Sequence, residues 1–295
     1  MNALVQRWIV VLAAVTALPA CVVETAEKPD QEVTAEPPES GEGGDGGDGG
    51  GGEDGGIVWS SEPWSDSQLP TGAPSAEQVR VVTANISFAL TPAKVKQDFQ
   101  QYGPEADVVL MQEARDVILE NLVDTSVWAV RQNTTSPAKR GSAIVVRKAI
   151  AEPGGVGKLV LRKGVEASPC PGGGINTRYI ARVNVRLASG RMLRLASAHM
   201  PPKRCWGPVY DAMADRIVEV SNEVPGRYVI GADWNKVVAN DPNDIGQRTG
   251  LKRRAPGNSI DGFYFRNDEL DASTAAWLPK TSSDHKPVRI HLTID

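Results

Sequence analysis

Four apolar runs in this chain each finish on a side chain that sheets disfavour or that acid–base and metal chemistry uses. VVTAN ends at Asn85, VVLMQE at Glu113, LRLASAH at His199, and YVIGADWN at Asp233 and Asn235. Runs of about four to eight aliphatic and β-branched residues form strands, and Asp and Asn are depleted from them. Strand side chains alternate between faces, so Asp233 and Asn235 are expected on one face and Trp234 on the other. One strand leaving its sheet on a polar turn residue is ordinary. Four in order, followed by SIDG (Ser259 to Gly262) and SSDH (Ser282 to His285), point to strands that end at a common edge, where their polar tips converge.

The intervening segments fit that frame. In LTPAKVKQDFQQYGP, Thr91 is placed to cap a helix, Pro92 sits in its first turn, and Val95, Phe99 and Tyr102 share one face before Gly103 and Pro104 stop it. GSAIVVRK, RYIARVNVRL and MLRLASAH read as strands, the last two joined by an ASGR hairpin turn, and PVYDAMADRIVEV spaces Val209, Met213, Ile217 and Val220 as a helical stripe. IDGFYF and KPVRIHLTI complete the strands, with Val288, Ile290 and Leu292 inward and Arg289 and His291 facing solvent. No internal repeat is visible. Residues 75–295 are therefore expected to form one α/β domain with substantial sheet.

The N-terminal quarter has a different composition. Residues 1–20 have the form of an export signal: Arg7, then an uncharged and mostly apolar run from Trp8 to Leu18 that is short for a membrane span. LPAC follows and is similar to a bacterial lipobox, which makes Cys21 the candidate for lipidation and membrane anchoring. An ordinary secretory signal cut after Ala20 is the alternative, and both place the domain outside the cytoplasm. Residues 21–74, with GEGGDGGDGGGGEDGG at their centre, hold too few apolar groups to offset the entropy of ordering and read as a disordered tether. Residues 22–74 carry 13 acids and one base, Lys28, whereas residues 75–295 carry 30 Lys and Arg against 23 Asp and Glu, so the net charge of −4 conceals a basic domain. Such a domain suits a polyanionic substrate or surface. With Cys21 set aside, Cys170 and Cys205 are an even remainder, which in an exported protein predicts a disulfide; two free buried thiols are the alternative.

GADWN and SSDHKPV carry a resemblance as well as a pattern. They are similar to the G-D-x-N and S-D-H-x-P-V motifs of the endonuclease/exonuclease/phosphatase superfamily, and the resemblance runs in order from Val79 to Ile294. It implies an α/β, deoxyribonuclease I-like fold, a four-layered sandwich of two mixed β-sheets flanked by helices, with the site at one sheet edge. It further implies that Glu113 binds a catalytic Mg2+ with Asn85 and Asp284 nearby, Mn2+ or Ca2+ being alternatives. Asp233 and Asn235 would position phosphate and water, His285 would pair with Asp261, and His199 would be the acid for the leaving oxygen. The chemistry agrees: an anionic ester calls for a hard cation with oxygen ligands, a water nucleophile and a charge-stabilising imidazole. One departure stands out. Nuclease-like members carry a glutamate before the strand matching GSAIVV, where it supports this histidine, and here PAKRGSAIVV places Arg140. Either His199 lacks its partner or Arg140 binds phosphate; Arg178 in NTRYIARV is a second candidate for that contact.

PPKR after His199 and LKRR before Asp261 favour nucleic acid as substrate, hence a monomeric endonuclease with no protein partner inferred. A phosphatase or phospholipase C-type esterase acting on inositol or sphingolipid head groups is the alternative enzyme, and a catalytically silent polyanion-binding module the alternative from another class.

Overall fold

Strand β1 (Glu77–Asn85) divides its buried side chains between two surfaces. Val79 and Val81 pack toward a second sheet, and Val82 and Ala84 pack under a helix. A strand covered on both faces explains why it reads as a near-continuous apolar run. The computed structural model of the protein describes residues 77–295; the export signal, Cys21 and the acidic segment lie outside the described residues. No helix among the described residues is long and apolar enough to cross a membrane.

Two seven-stranded sheets stack face to face. In the first, β12 (Leu270–Ala272), β14 (Val288–Ile294), β1, β2 (Val108–Gln112), β4 (Ala143–Arg147) and β3 (Trp128–Arg131) follow in that order, with β13 (Ala276–Trp277) also on β14. In the second the order is β10 (Lys252–Arg254), β11 (Asp261–Phe265), β9 (Tyr228–Asp233), β8 (Met192–His199), β7 (Arg178–Leu187) and β5 (Ala151–Val156), with β6 (Val160–Val165) also on β7. Among these ladders the pairs β1–β2 and β8–β9 are parallel and the rest antiparallel. A parallel pair needs a crossover. Helix α1 (Pro92–Tyr102) supplies one and helix α3 (Pro208–Asn222) the other, with the short α2 (Pro137–Arg140) between them in the chain. Val95, Phe99 and Tyr102 seal the outer face of the first sheet, while Tyr210, Met213 and Ile217 seal that of the second. The result is the four-layered mixed-sheet sandwich expected from the sequence, with Thr91 capping α1 through Lys94 N.

The sheets approach closely at Gly231. A Cβ there would lie 2.7 Å from Leu110 Cδ1 and 3.0 Å from Thr83 Cβ, so a strand interior that would otherwise disfavour glycine requires it.

At the far end from the strand tips, Asp107 clamps the first sheet. It accepts from Arg80 N at 2.9 Å, Arg80 Nε at 3.0 Å and Arg80 Nη2 at 2.8 Å, with Arg147 Nε 3.5 Å away. Burial alone would raise this carboxyl; the Arg80 hydrogen bonds and the two arginine charges outweigh it and hold the pKa below the ordinary carboxylate value. A depressed carboxylate contributes stability that is present above its unfolded pKa, about 4, and lost as pH falls through the folded value. Unfolding free energy is therefore expected to decline on acidification below about pH 4. Asp107→Asn should flatten that slope in urea titrations from neutral pH downward; an unchanged slope would remove the clamp from the account.

Candidate active site

Register assembles the first part of the site. In the parallel β8–β9 ladder His199 is the partner of Asp233, and in the antiparallel β9–β11 ladder Asp261 is its other partner. Residues paired across a ladder share a face, so three acid–base side chains stand abreast at the carboxyl end of β8 and β9. Asp233 is 1% exposed and Asp261 5%. The opposite sheet supplies Asn85 and Glu113. Asn85 Nδ2 donates to Asp233 Oδ2 at 3.0 Å and so ties the two sheets at their shared edge, while Asn85 Oδ1 accepts from Ser87 N.

Glu113 follows β2 in a left-handed conformation, φ 61°, and its Oε2 accepts from Phe88 N at 2.9 Å. Non-glycine residues hold such backbone only where the surroundings enforce it. Its Oε1 lies 3.7 Å from His199 Nε2, and Asp233 Oδ2 lies 3.3 Å from the same nitrogen. Trp234 turns the other way, as alternation predicts, and is fully buried beneath the second sheet with its indole N–H on Gly262 O. Asn235 reaches the cleft by a different route from the one alternation suggested. The strand ends at Asp233, and Asn235 adopts φ 51°, with its N–H on Asp233 Oδ1 and its Nδ2 on Met200 O.

The SSDH loop is pinned from two sides. Asp98 of α1 accepts from Ser282 N and Ser282 Oγ; Ser283 Oγ donates to Asn85 O at 2.8 Å and accepts from His285 N. His285 Nδ1 then donates to Asp261 Oδ2 at 2.7 Å, and its Nε2 stands 3.8 Å from Asp233 Oδ2. Burial would lower the His285 pKa, but the Asp261 hydrogen bond and the charges of Asp261, Asp233 and Asp284 raise it to about 9. Burial, with the charges of Asp233 and Asp284, outweighs the His285 bond and pushes Asp261 up to about 6. At neutral pH the pair is thus carboxylate and imidazolium. Burial would also raise Asp233, but the His199 hydrogen bond and neighbouring positive charge outweigh it and keep the carboxyl below its ordinary range. His199 is lowered, first by burial and then by the charge of Arg178, whose Nη1 lies 2.9 Å from His199 Nδ1.

Loops close the cleft. The Cys170–Cys205 disulfide, expected from the cysteine count, joins the loop before β7 to the loop after β8 with 5.3 Å between Cα atoms, and Arg204 Nε donates to Gly173 O beside it. Gly174 to Thr177 and Arg204 line one wall, Glu113, Arg178, His199, Asp233, Asn235 and His285 the interior, and Phe88 and Arg115 the rim.

Solved structures of similar fold include the endonuclease/exonuclease/phosphatase from Bacteroides vulgatus, at TM-score 0.57 and 16% identity over 74% of this chain and 100% of that one. The chain has the endonuclease/exonuclease/phosphatase fold. A family protein from Bacteroides thetaiotaomicron matches at TM-score 0.55 and 14% identity, over 75% of this chain and 96% of that one. D. rerio TDP2 complexed with single strand DNA product matches at 0.54 and 15% identity, over 73% and 99%. No sequence-family profile matches the chain, and no curated protein sequence does.

Within this endonuclease/exonuclease/phosphatase fold, Asn85, Glu113, His199, Asp233, Asn235, Asp261 and His285 come together as the sequence suggested. Asp284 is exposed and does not line the cleft, although its charge acts on His285. Arg140 is corrected outright. Its Nη1 and Nη2 donate to Arg115 O and Thr134 O, so it fastens backbone outside the cleft instead of facing phosphate. Arg178 occupies the His199 flank in its stead.

A buried polar bridge between the two sheets escaped sequence reading. Gln112, fully buried, reaches Ser197 Oγ at 3.0 Å and Thr83 Oγ1 at 3.2 Å, and Ser197 Oγ donates to Met111 O. A lone amide inside the apolar run VVLMQE was the available signal.

The donors suit a hard divalent cation. Asp233 and Asp261 each bring a carboxylate oxygen to within 4.8 Å of the other and of a His285 ring nitrogen, and Asp261 Oδ1 is buried with no hydrogen-bond partner, an orphan that a cation or its water would satisfy. Carboxylate oxygens from Glu113, Asp233 and Asp261 favour Mg2+ or Mn2+ over soft metals.

Proposed function

We propose that the chain is a Mg2+-dependent phosphodiesterase acting on nucleic acid, exported and held at a membrane through Cys21 by its acidic tether, residues 21–74. The observation that carries the hydrolase reading is Asp233 set between His199 and the Asp261–His285 pair, with Glu113 opposite. The domain boundary at 75 and the leader at 1–20 rest on composition.

Carboxylates of Glu113 and Asp233 would hold the cation, which supplies positive charge to a phosphoryl oxygen and to water. His285, kept protonated by Asp261, donates to a non-bridging oxygen and offsets charge as it develops. Asp233, kept ionised, accepts the proton of the attacking water that it and Asn235 orient. Water oxygen bonds to phosphorus as the bond to the leaving alkoxide oxygen breaks, and that oxygen takes a proton from solvent to leave as the alcohol. Arg178 lines the cleft and its Nε is buried with no hydrogen-bond partner, a donor suited to phosphate.

Nucleic acid is favoured by the basic charge of residues 75–295, by TDP2's single strand DNA product, and by Phe88. That ring is 51% exposed at the rim with the Arg115 guanidinium 4.4 Å from its centroid, the pairing on which nucleobases stack.

The full chain offered plasmid DNA, single-stranded DNA, RNA, sphingomyelin and a phosphoinositide is expected to cleave nucleic acid with Mg2+ and to stop with chelator. Glu113→Ala should lose at least about 100-fold, and Phe88→Ala should weaken single-strand affinity by about fivefold or more. Turnover of lipid alone would overturn the substrate, and full activity of Glu113→Ala would overturn the site.

A further inference from the structure

His199 sits between a cation and two anions, and the order in which they meet its ring is informative. Arg178 opens β7 and His199 closes the antiparallel neighbour β8, so the two ends lie side by side. Arg178 Nη1 stands 2.9 Å from Nδ1, while Nε2 faces Asp233 Oδ2 at 3.3 Å and Glu113 Oε1 at 3.7 Å. A guanidinium has five N–H donors and no acceptor, so the Nδ1 it touches must offer a lone pair. The single ring proton then belongs on Nε2, where both neighbours are acceptors. Each side of the ring selects the same tautomer independently.

We propose that Arg178 is a positioning residue that occupies the Nδ1 lone pair of His199 and fixes the ring as the Nε2–H tautomer, a hydrogen-bond donor toward the cleft. A carboxylate on Nδ1 would do the reverse, drawing a proton there and readying the ring to act as an imidazolium acid. In this chain the flank is cationic, and an imidazolium would direct an N–H at the Arg178 fork. The ring accordingly steadies a substrate oxygen or the Asp233 carboxylate through Nε2–H, and proton delivery to the leaving alcohol falls to solvent. The tautomer stands on geometry alone; the use made of it rests on the hydrolase reading above.

The chain contains three histidines, so long-range 1H–15N correlation spectra of the full-length protein give a short set of ring signals, and His199→Gln assigns one of them by loss. At neutral pH His199 is expected to show one protonated nitrogen, Nε2, and one bare nitrogen, Nδ1. A doubly protonated ring, or the Nδ1–H form, overturns the proposal, and should His199→Gln fail to fold, loss of the other two ring signals in His285→Gln and His291→Gln assigns His199 by elimination. Arg178→Glu should move the proton to Nδ1; an unshifted pattern in folded Arg178→Glu also counts against the proposal. For turnover, glutamine can place an N–H near the position of Nε2, so His199→Gln should retain about tenfold more kcat than His199→Ala, the worth of one good hydrogen bond. Equal losses in the two would reject the donor role. If no phosphate ester is turned over, the hydrolase reading fails while the spectra still settle the tautomer.

Discussion

Replacing His285 with alanine is expected to lower kcat by about 10²- to 10⁴-fold, the range associated with a positioned proton-transfer or charge-stabilising group. The imidazole is the one cleft group held cationic by a dedicated buried carboxylate, through the 2.7 Å bond to Asp261. Two further results follow from that pairing. First, the residues act as a unit, so Asp261→Asn combined with His285→Ala should cost no more than His285→Ala alone. Second, a group whose folded pKa is raised to about 9 is charged below that pH and neutral above it. Turnover should therefore fall as pH rises through about 9, and that alkaline limb should vanish in the His285 variant. Strictly additive losses, or an unaltered alkaline limb, would separate His285 from Asp261 and sink the pair as a catalytic device.

Trp234→Ala is expected to be the most damaging single truncation for stability, at about 3–5 kcal/mol. The indole is fully buried under the second sheet, edge-on to Tyr264 with centroids 4.7 Å apart, and its N–H satisfies Gly262 O. Removing it leaves a cavity and takes the indole donor from the Gly262 carbonyl beneath the tip of β9, and the Trp234 carbonyl also accepts the Tyr210 hydroxyl at 2.6 Å. Because Asp233 and Asn235 flank this residue, the variant should lose activity along with stability. Urea denaturation checks it: the midpoint should drop with the slope unchanged. A loss below about 1 kcal/mol would mean the pocket collapses around the vacancy and that Trp234 does not set the strand tip.

What could be read from the sequence follows from where the physics is local. Strands β1, β2, β8 and β9 are buried on both faces and advertise themselves as apolar runs, and helices α1 and α3 announce their starts with proline and, for α1, the Thr91 cap. Their polar tips then named most of the site. Strands β5 and β6 gave no such signal. AEPGGV contains a proline and two glycines and VLRKGV is only partly buried, residues tolerated at the margin of a sheet where one edge needs no partner. The exchange of Arg140 for Arg178 has another cause. A sequence position tells which element carries a side chain, but not which of two nearby cations points inward, and Arg140 is diverted by carbonyls contributed from Arg115 and Thr134. Gln112 and Ser197 were hidden because their value lies in each other, 85 residues apart.

The antiparallel pairing of β1 with β14 sets the order in which this chain becomes functional. Gln78 and Thr293 hydrogen-bond across it at a separation of 215 residues, so the first described strand waits for the last. Until β14 arrives, β1 presents an open edge on one side. Synthesis runs from N- to C-terminus, and closing so long a loop is slow. A chain truncated before β14 therefore lacks both the strand that covers β1 and the residues that lead into it from His285, and on the proposed reading it is expected to be inactive.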